Sequence, residues 1–218
     1  VYTGGGVVLG EASEQLRELV DTTGFPITQT LMGLGAFPAS DDLSLGMLGM
    51  HGTYRANMAV TNCDLLLAVG SRFDDRVTGD VSKFAHQANI IHIDIDPTSI
   101  SKNVPVEIPI VGDAKDILKK LLSLIDDAKK INWKTKHKPW FAQIEGWKSK
   151  HSLNYDQRDT IKPQYVVEQL YKLTNGNAII STEVGQNQMW AAQFYNFDKP
   201  RKLLTSGGLG TMGYGGKQ

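Results

Sequence analysis

Several clusters along the sequence bring together residue types that could do chemistry. The densest is Gly70-Ser71-Arg72-Phe73-Asp74-Asp75-Arg76-Val77-Thr78-Gly79. Two arginines four apart can clamp a phosphate or carboxylate, because each guanidinium offers a planar fork of donors. Asp74 and Asp75 are adjacent, point oppositely in extended chain, and make a poor acid–base pair. A surface salt-bridge loop is the plain alternative. The stretch Leu45-Gly46-Met47-Leu48-Gly49-Met50-His51-Gly52 can wrap a flat apolar ring, since methionine adapts its shape and glycine permits close contact. His51 has no second ligand at metal spacing and reads as a hydrogen-bonding loop residue. Gly4-Gly5-Gly6 follows a strand and precedes a helix. It either admits a phosphate or ribose to the backbone amides or makes a tight turn. It is not the GxGxxG fingerprint. Asp94 and Asp96 close the apolar run NIIHIDID, where an acid suits a ribose hydroxyl or simply starts the turn at Pro97. Cys63 has apolar neighbours and reads as a buried spectator. Two later loops, 183–190 and 206–213, bear glycine at strand ends and suit a phosphate-bearing cofactor cleft.

The elements that must carry these clusters alternate. Leu16, Leu19 and Val20 predict a helix that ends at Gly24 and Pro26. Residues 26–30, 64–70, 89–96 and 106–111 read as strands, and 53–63 as a helix. From Asp113, Ile117, Leu118, Leu121, Leu122 and Ile125 make one apolar stripe, capped by Asp113 and basic at Lys129 and Lys130. This alternation predicts an α/β fold with a doubly wound parallel sheet, Rossmann-like, over residues 1–130. Residues 131–160 form a Trp- and Lys-rich connection. Trp133, Trp140 and Trp147 recur every seven residues, which predicts one face of an amphipathic helix packed on a neighbouring domain. The rhythm restarts over 161–218: a helix from Pro163 to Leu173, a strand over 177–184, a helix over 186–195 and a strand over 202–206. A second α/β domain begins there and is incomplete.

The chain has 218 residues, which is about one and a half domains at ordinary domain size. Hydrophobic residues make up 41%, enough for a core. Lys plus Arg equals Asp plus Glu at 23, so there is no basic excess to suggest nucleic acid or a membrane surface. One cysteine excludes an internal disulfide framework. No apolar run approaches a membrane span, and no signal peptide opens the chain.

Six strings in order resemble the large catalytic subunit of the acetohydroxyacid (acetolactate) synthase family: TLMGLGAFP (30–38), LGMLGMHG (45–52), GSRFDDRVTG (70–79), IHIDIDP (91–97), VGQNQMWAAQFY (184–195) and SGGLGTMGYG (206–215). The resemblance implies the central FAD-binding domain of a three-domain enzyme, followed by the start of its thiamine-diphosphate domain. It implies that Gly4, Gly5, Thr30, Leu31, Met32, Gly49, Met50, His51, Gly52, Gly70, Arg72, Asp74, Arg76 and Val77 line FAD. Asp94, Ile95, Gly112 and Asp113 would hold its adenosine end. Val184, Gly185, Gln186, Asn187, Gly210 and Met212 would meet thiamine diphosphate, and Gln188 and Gly207 would reach the flavin from the other side. Met212 would set the cofactor's bent conformation, and Arg76 would hold the acceptor's carboxylate.

The chemistry implied is the joining of two pyruvates, or pyruvate and 2-oxobutyrate, with loss of carbon dioxide, in branched-chain amino-acid biosynthesis. A homodimer or homotetramer, a regulatory small subunit and a cytoplasmic or plastid location are implied in the same way. Asn187 stands where the family usually has histidine, and Gly216-Lys217-Gln218 departs from its usual continuation. The activating glutamate and the Mg²⁺ motif belong to parts that this chain does not contain. The resemblance therefore predicts no metal site here and no activity from the 218 residues alone. A pyruvate oxidase or glyoxylate carboligase relative is the nearest alternative, and a non-enzymatic nucleotide-binding module is the more distant one.

Overall fold

The short apolar runs pair side by side because each is too short and too buried to satisfy its backbone alone. In the computed structural model, which describes residues 1–125 and 130–217, six of them make one parallel sheet. They are β1 (Tyr2–Thr3), β2 (Ile27–Gln29), β3 (Ser44–Met47), β4 (Leu65–Val69), β5 (Asn89–Asp94) and β6 (Ile108–Val111). Their order across the sheet is β3-β2-β1-β4-β5-β6. The chain starts at the centre, runs out to one edge, returns beside β1 at β4, and runs out to the other edge. The expected doubly wound α/β fold is present, with its reversal between β1 and β4.

Alternation along the strands divides the core into two layers. Leu67 and Val69 of β4 face α1 (Gly5–Leu9), α2 (Ser13–Thr23) and α5 (Ala114–Leu124), meeting Val7, Leu16, Val20 and Leu118. Leu66 and Ala68 face the other way, onto α3 (Tyr54–Asn62) and α7 (Lys138–Lys150), meeting Ala56, Val60 and Ile144. Gly24 ends α2 in the left-handed region at φ 63°, donating to the Val20 carbonyl. Asp113 caps α5, its Oδ1 accepting the Lys115 and Asp116 amides at 2.9 and 3.2 Å. That helix stops at Leu124, so Lys130 lies beyond its end, and Lys129 falls outside the described residues.

The tryptophan segment departs from the single helix predicted for it. Trp133 sits on a separate turn, α6 (Trp133–Lys136), and packs edge-on against Phe25 at 6.2 Å. Trp140 and Trp147 lie on α7 and meet each other edge to face at 5.6 Å. Both pack on the α3 layer, so the segment folds back on the first unit. The second unit has α8 (Pro163–Thr174), β7 (Ile180–Ser181), α9 (Gln186–Phe194) and β8 (Leu203–Leu204), with β7 and β8 parallel. Both strands are shorter than the sequence predicts. A third cluster joins the units: Leu34 and Met47 from the first pack with Ala192, Tyr195 and Phe197 from the second.

The methionine-bearing stretch also differs from its expectation as a loop. Leu45, Gly46 and Met47 belong to β3, and Leu45, Met47 and Leu48 are buried. Only the part from Leu48 onward is loop.

Candidate functional site

All six strands of the main sheet point the same way, so the loops after them share one edge. Open α/β sheets bind ligands there, at the reversal of strand order. The turns after β1 and β4 touch backbone to backbone. Gly4 donates to the Val69 carbonyl and Gly6 to the Gly70 carbonyl, both at 3.0 Å. A Cβ on Gly4 would fall 2.3 Å from the Gly70 oxygen, so nothing larger fits. A Cβ on Gly5 would meet the Met32 Cβ at 3.2 Å. Thr30 caps the short turn that carries Leu31 and Met32, its Oγ1 accepting the Gly33 amide at 3.0 Å.

The 70–79 loop is anchored by residues that the sequence reading did not single out. Phe73 adopts φ 54°, unusual for a bulky residue, and is buried against Tyr2, Phe84 and His92. Buried His92 holds the Ser71 carbonyl through Nε2 at 2.8 Å, and Asn103 donates to the Phe73 carbonyl at 3.1 Å. Burial pushes the His92 imidazole pKa down, so the neutral ring is favoured. With Phe73 turned inward, the polar residues face out. Arg72 pairs with Asp74 at 2.7 Å and Arg76 with Asp75 at 3.5 Å. Each aspartate takes its own arginine: Asp74 is still extended, whereas Asp75 begins the short helix α4 (Asp75–Thr78). Arg76 remains 73% exposed, so its fork is available to a ligand.

The 49–52 loop is tied to that arginine. Met50 donates to the Arg76 carbonyl at 2.8 Å. Asn57, also not singled out from sequence, clamps Gly49 at both ends: its Oδ1 accepts the amide at 2.8 Å, and its Nδ2 donates to the carbonyl at 2.9 Å. Met50 and Met32 stand 64% and 50% exposed, large apolar side chains on the strand-end edge. Asp94 ends β5 with its Oδ1 accepting the Asp96 amide at 2.9 Å, and Ile95 is exposed beside it. Hydrogen bonds from Thr98 and Ser99 hold the Asp96 carboxyl below its usual range, so Asp96 serves the turn. Gly112 donates to the Asp94 carbonyl, which brings Asp113 to the same edge. Cys63 lies elsewhere; burial raises its thiol to about 11, as a spectator requires.

The second unit meets this edge through Gly207, where a Cβ would lie 2.6 Å from the Met32 sulfur. Gly185 precedes α9 at φ 138°, a region open to glycine. Gln186 and Asn187 begin that helix, and the Asn187 Oδ1 accepts the Gln188 amide at 2.7 Å. Gln188 itself is buried, donating to the Thr205 hydroxyl at 2.6 Å. Val184 and Gly210 approach each other across the two loops. Glu183 clips the 206–216 loop in place, accepting the Gly216 amide at 3.1 Å and also that of Gly213. Met212 is 72% exposed on that loop.

This edge fits a flavin nucleotide in kind. It offers exposed apolar methionines for a flat ring and two accessible guanidiniums for phosphate, while Asp94 is buried and Asp113 is engaged as the α5 cap. Among the described residues, no group of three or more His, Cys, Asp or Glu is placed to hold a metal ion.

A doubly wound sheet whose strand-end loops meet glycine loops of a second α/β unit defines a class of cofactor-binding enzyme domains. The thiamine pyrophosphate enzyme, central domain family matches residues 1–121, and the C-terminal TPP binding domain of these enzymes matches residues 183–216. The chain belongs to the thiamine pyrophosphate enzymes. It is similar to acetolactate synthase isozyme 3 large subunit of Escherichia coli (strain K12), 50% identical over 216 residues. That match covers 99% of this chain and 38% of the relative. It is also similar to acetolactate synthase 1, chloroplastic, of Nicotiana tabacum, 53% identical over 216 residues, covering 99% of this chain and 32% of the relative. The chain thus spans well under half the length of these relatives.

Proposed function

We propose that these residues form the flavin-binding and part of the thiamine-diphosphate-binding region of an acetolactate synthase large subunit. The observation that carries the reading is the near-complete, half-identical match to such subunits, with all six motif strings placed on strand-end loops or beside them. The proposed reaction joins pyruvate to a second pyruvate or to 2-oxobutyrate and releases carbon dioxide, as a step toward branched-chain amino acids. When bound, thiamine diphosphate supplies the electron sink for that loss. The chain's own residues bind and orient. Arg76 presents an accessible fork to the acceptor's carboxylate, while Asp75 holds it when no acceptor is there. Met212 offers an apolar platform to the thiamine cofactor, and Gly185 lets the backbone come close. The 49–52 and 70–79 loops, linked through Met50 and Arg76, hold FAD in a structural role, because the reaction has no net redox change.

Mg²⁺ and the activating glutamate would come from parts of the relatives that this chain does not span. A homodimer or homotetramer with a regulatory small subunit is the proposed assembly. The proposed location is the cytoplasm, or a plastid, as in the tobacco relative's name. No helix among the described residues is long and apolar enough to cross a membrane.

The test is a titration of the chain with FAD, followed by flavin fluorescence, beside an acetolactate assay of a full-length enzyme carrying these 218 residues. Saturable quenching and acetolactate formation are expected. Flavin that stays unquenched would overturn the cofactor reading, and pyruvate oxidation without acetolactate would overturn the reaction.

A further inference from the structure

At the β2–β3 side of the strand-end edge, a cavity of about 220 Å³ lies where the two units and the end of α7 meet. It shares His51 with the residues expected to line FAD, and none of the others. Arg55, Lys148 and His151 line it, and no aspartate or glutamate does. Arg55 donates through Nε to the Leu45 carbonyl at 3.1 Å and through one Nη to the Ser44 carbonyl at 3.0 Å. These bonds fix the guanidinium but leave its charge without a carboxylate partner among the described residues. Burial is the main influence on that group, and Glu145 is the acid that it senses. Glu145 in turn sits on Lys148 at 3.5 Å, in an exposed pair of little strength. His151 is held over Tyr54 at 4.3 Å, which fixes its ring at the rim. Leu34, Met47 and Leu153 give the cavity its apolar lining, beside the polar Gln29, Thr53 and Gln193.

A fixed, half-buried cation that shares its cavity with an ammonium, an imidazole and aliphatic side chains matches one ligand chemistry. The charged end of the ligand must be anionic and planar enough for a guanidinium, and its body must be apolar and short. We propose that this cavity binds a small aliphatic carboxylate, with the carboxylate on Arg55 and Lys148 and the hydrocarbon against Leu34 and Met47. The site adjoins the flavin edge through His51 and does not depend on the reading of the function above.

The probe is butyrate, titrated calorimetrically into the full 218-residue chain at fixed ionic strength, with butyramide and inorganic phosphate as parallel arms. Butyrate is expected to bind, and the two other probes to bind at least tenfold more weakly. Lys148→Gln and Arg55→Gln should each weaken butyrate about tenfold, the loss of one charge-assisted bond. Because Arg55 also holds two carbonyls, the exposed Lys148 variant decides the matter if Arg55→Gln does not fold. The His151 ring proton resonances, assigned by their loss in His151→Gln, should move as butyrate is added. No butyrate binding, equal binding of butyramide or phosphate, an unchanged affinity in Lys148→Gln, or unmoved His151 resonances would each overturn the proposal.

Discussion

Arg72 and Arg76, on one short loop, are held in separate ion pairs. Both stand out because Phe73 between them is turned into the core, and each is held by a different aspartate. In a full-length enzyme carrying these residues, Arg76→Lys keeps the charge and loses the fork. Acetolactate formation should fall roughly tenfold to a hundredfold, the worth of a charged hydrogen bond, while carbon dioxide release falls less. Equal losses in the two assays would return Arg76 to a merely structural pairing with Asp75. The glycines make a second residue-scale contrast. Gly4→Ala places a methyl group against the Gly70 carbonyl and should cost about 2–3 kcal/mol in urea denaturation. Gly5→Val presses on Met32 first, so any loss of flavin there passes through a displaced methionine.

The elements contribute by holding loops still. α3 carries Asn57, whose carboxamide satisfies both backbone groups of Gly49. Asn57→Ala leaves both unpaired and should cost about 1–3 kcal/mol, with weaker FAD binding from a looser Met50 loop. Thermal melts of the bare chain beside FAD titration separate the two effects. β5 carries His92, buried beneath the arginine loop. Its pKa is lowered in the folded chain, chiefly by burial, with Ser71 and Asp94 opposing. A lowered folded value means that its contribution is present above the ordinary imidazole value of about 6.5 and is lost as pH falls below it. The urea midpoint should therefore drop between pH 7.5 and 5, and less so in His92→Asn. An equal drop in both proteins would assign the acid sensitivity to other groups.

At the scale of the whole molecule, the two units are joined by more than a linker. Phe197 is buried in the cluster that contains Leu34 and Met47, Gln193 donates to the His51 carbonyl at 2.8 Å, and Ser40 donates to Asp198 at 2.9 Å. Gly35, at φ 86°, lies so close to the Lys199 carbonyl that a Cβ there would sit 2.2 Å away. Phe197→Ala should cost about 3–5 kcal/mol. Limited proteolysis should then cut within residues 161–217 while the first unit resists. Uniform cutting of both units would show that they unfold together.

The period of the apolar residues determined the strand-and-helix order and hence the parallel sheet, because burial on both faces leaves a local signature in each strand. The Asp113 cap and the Gly24 stop were legible for the same reason: each acts within four residues of itself. The glycine and arginine loops were legible as clusters, but their work was not. That Gly4 serves Gly70, that Phe73 turns inward, and that His92 and Asn57 hold the loops depend on residues far apart in sequence meeting across the sheet. The edge strand β3 was missed because its glycine and methionine match a loop as well as a strand. The seven-residue tryptophan spacing was divided at His137, where α6 ends and α7 begins, because Trp133 reaches Phe25 while Trp140 and Trp147 follow the α3 layer. Only the tertiary structure could choose between those packing partners, since side-chain contacts across 113 residues, such as His137 to the Gly24 carbonyl, leave no periodic trace in the chain.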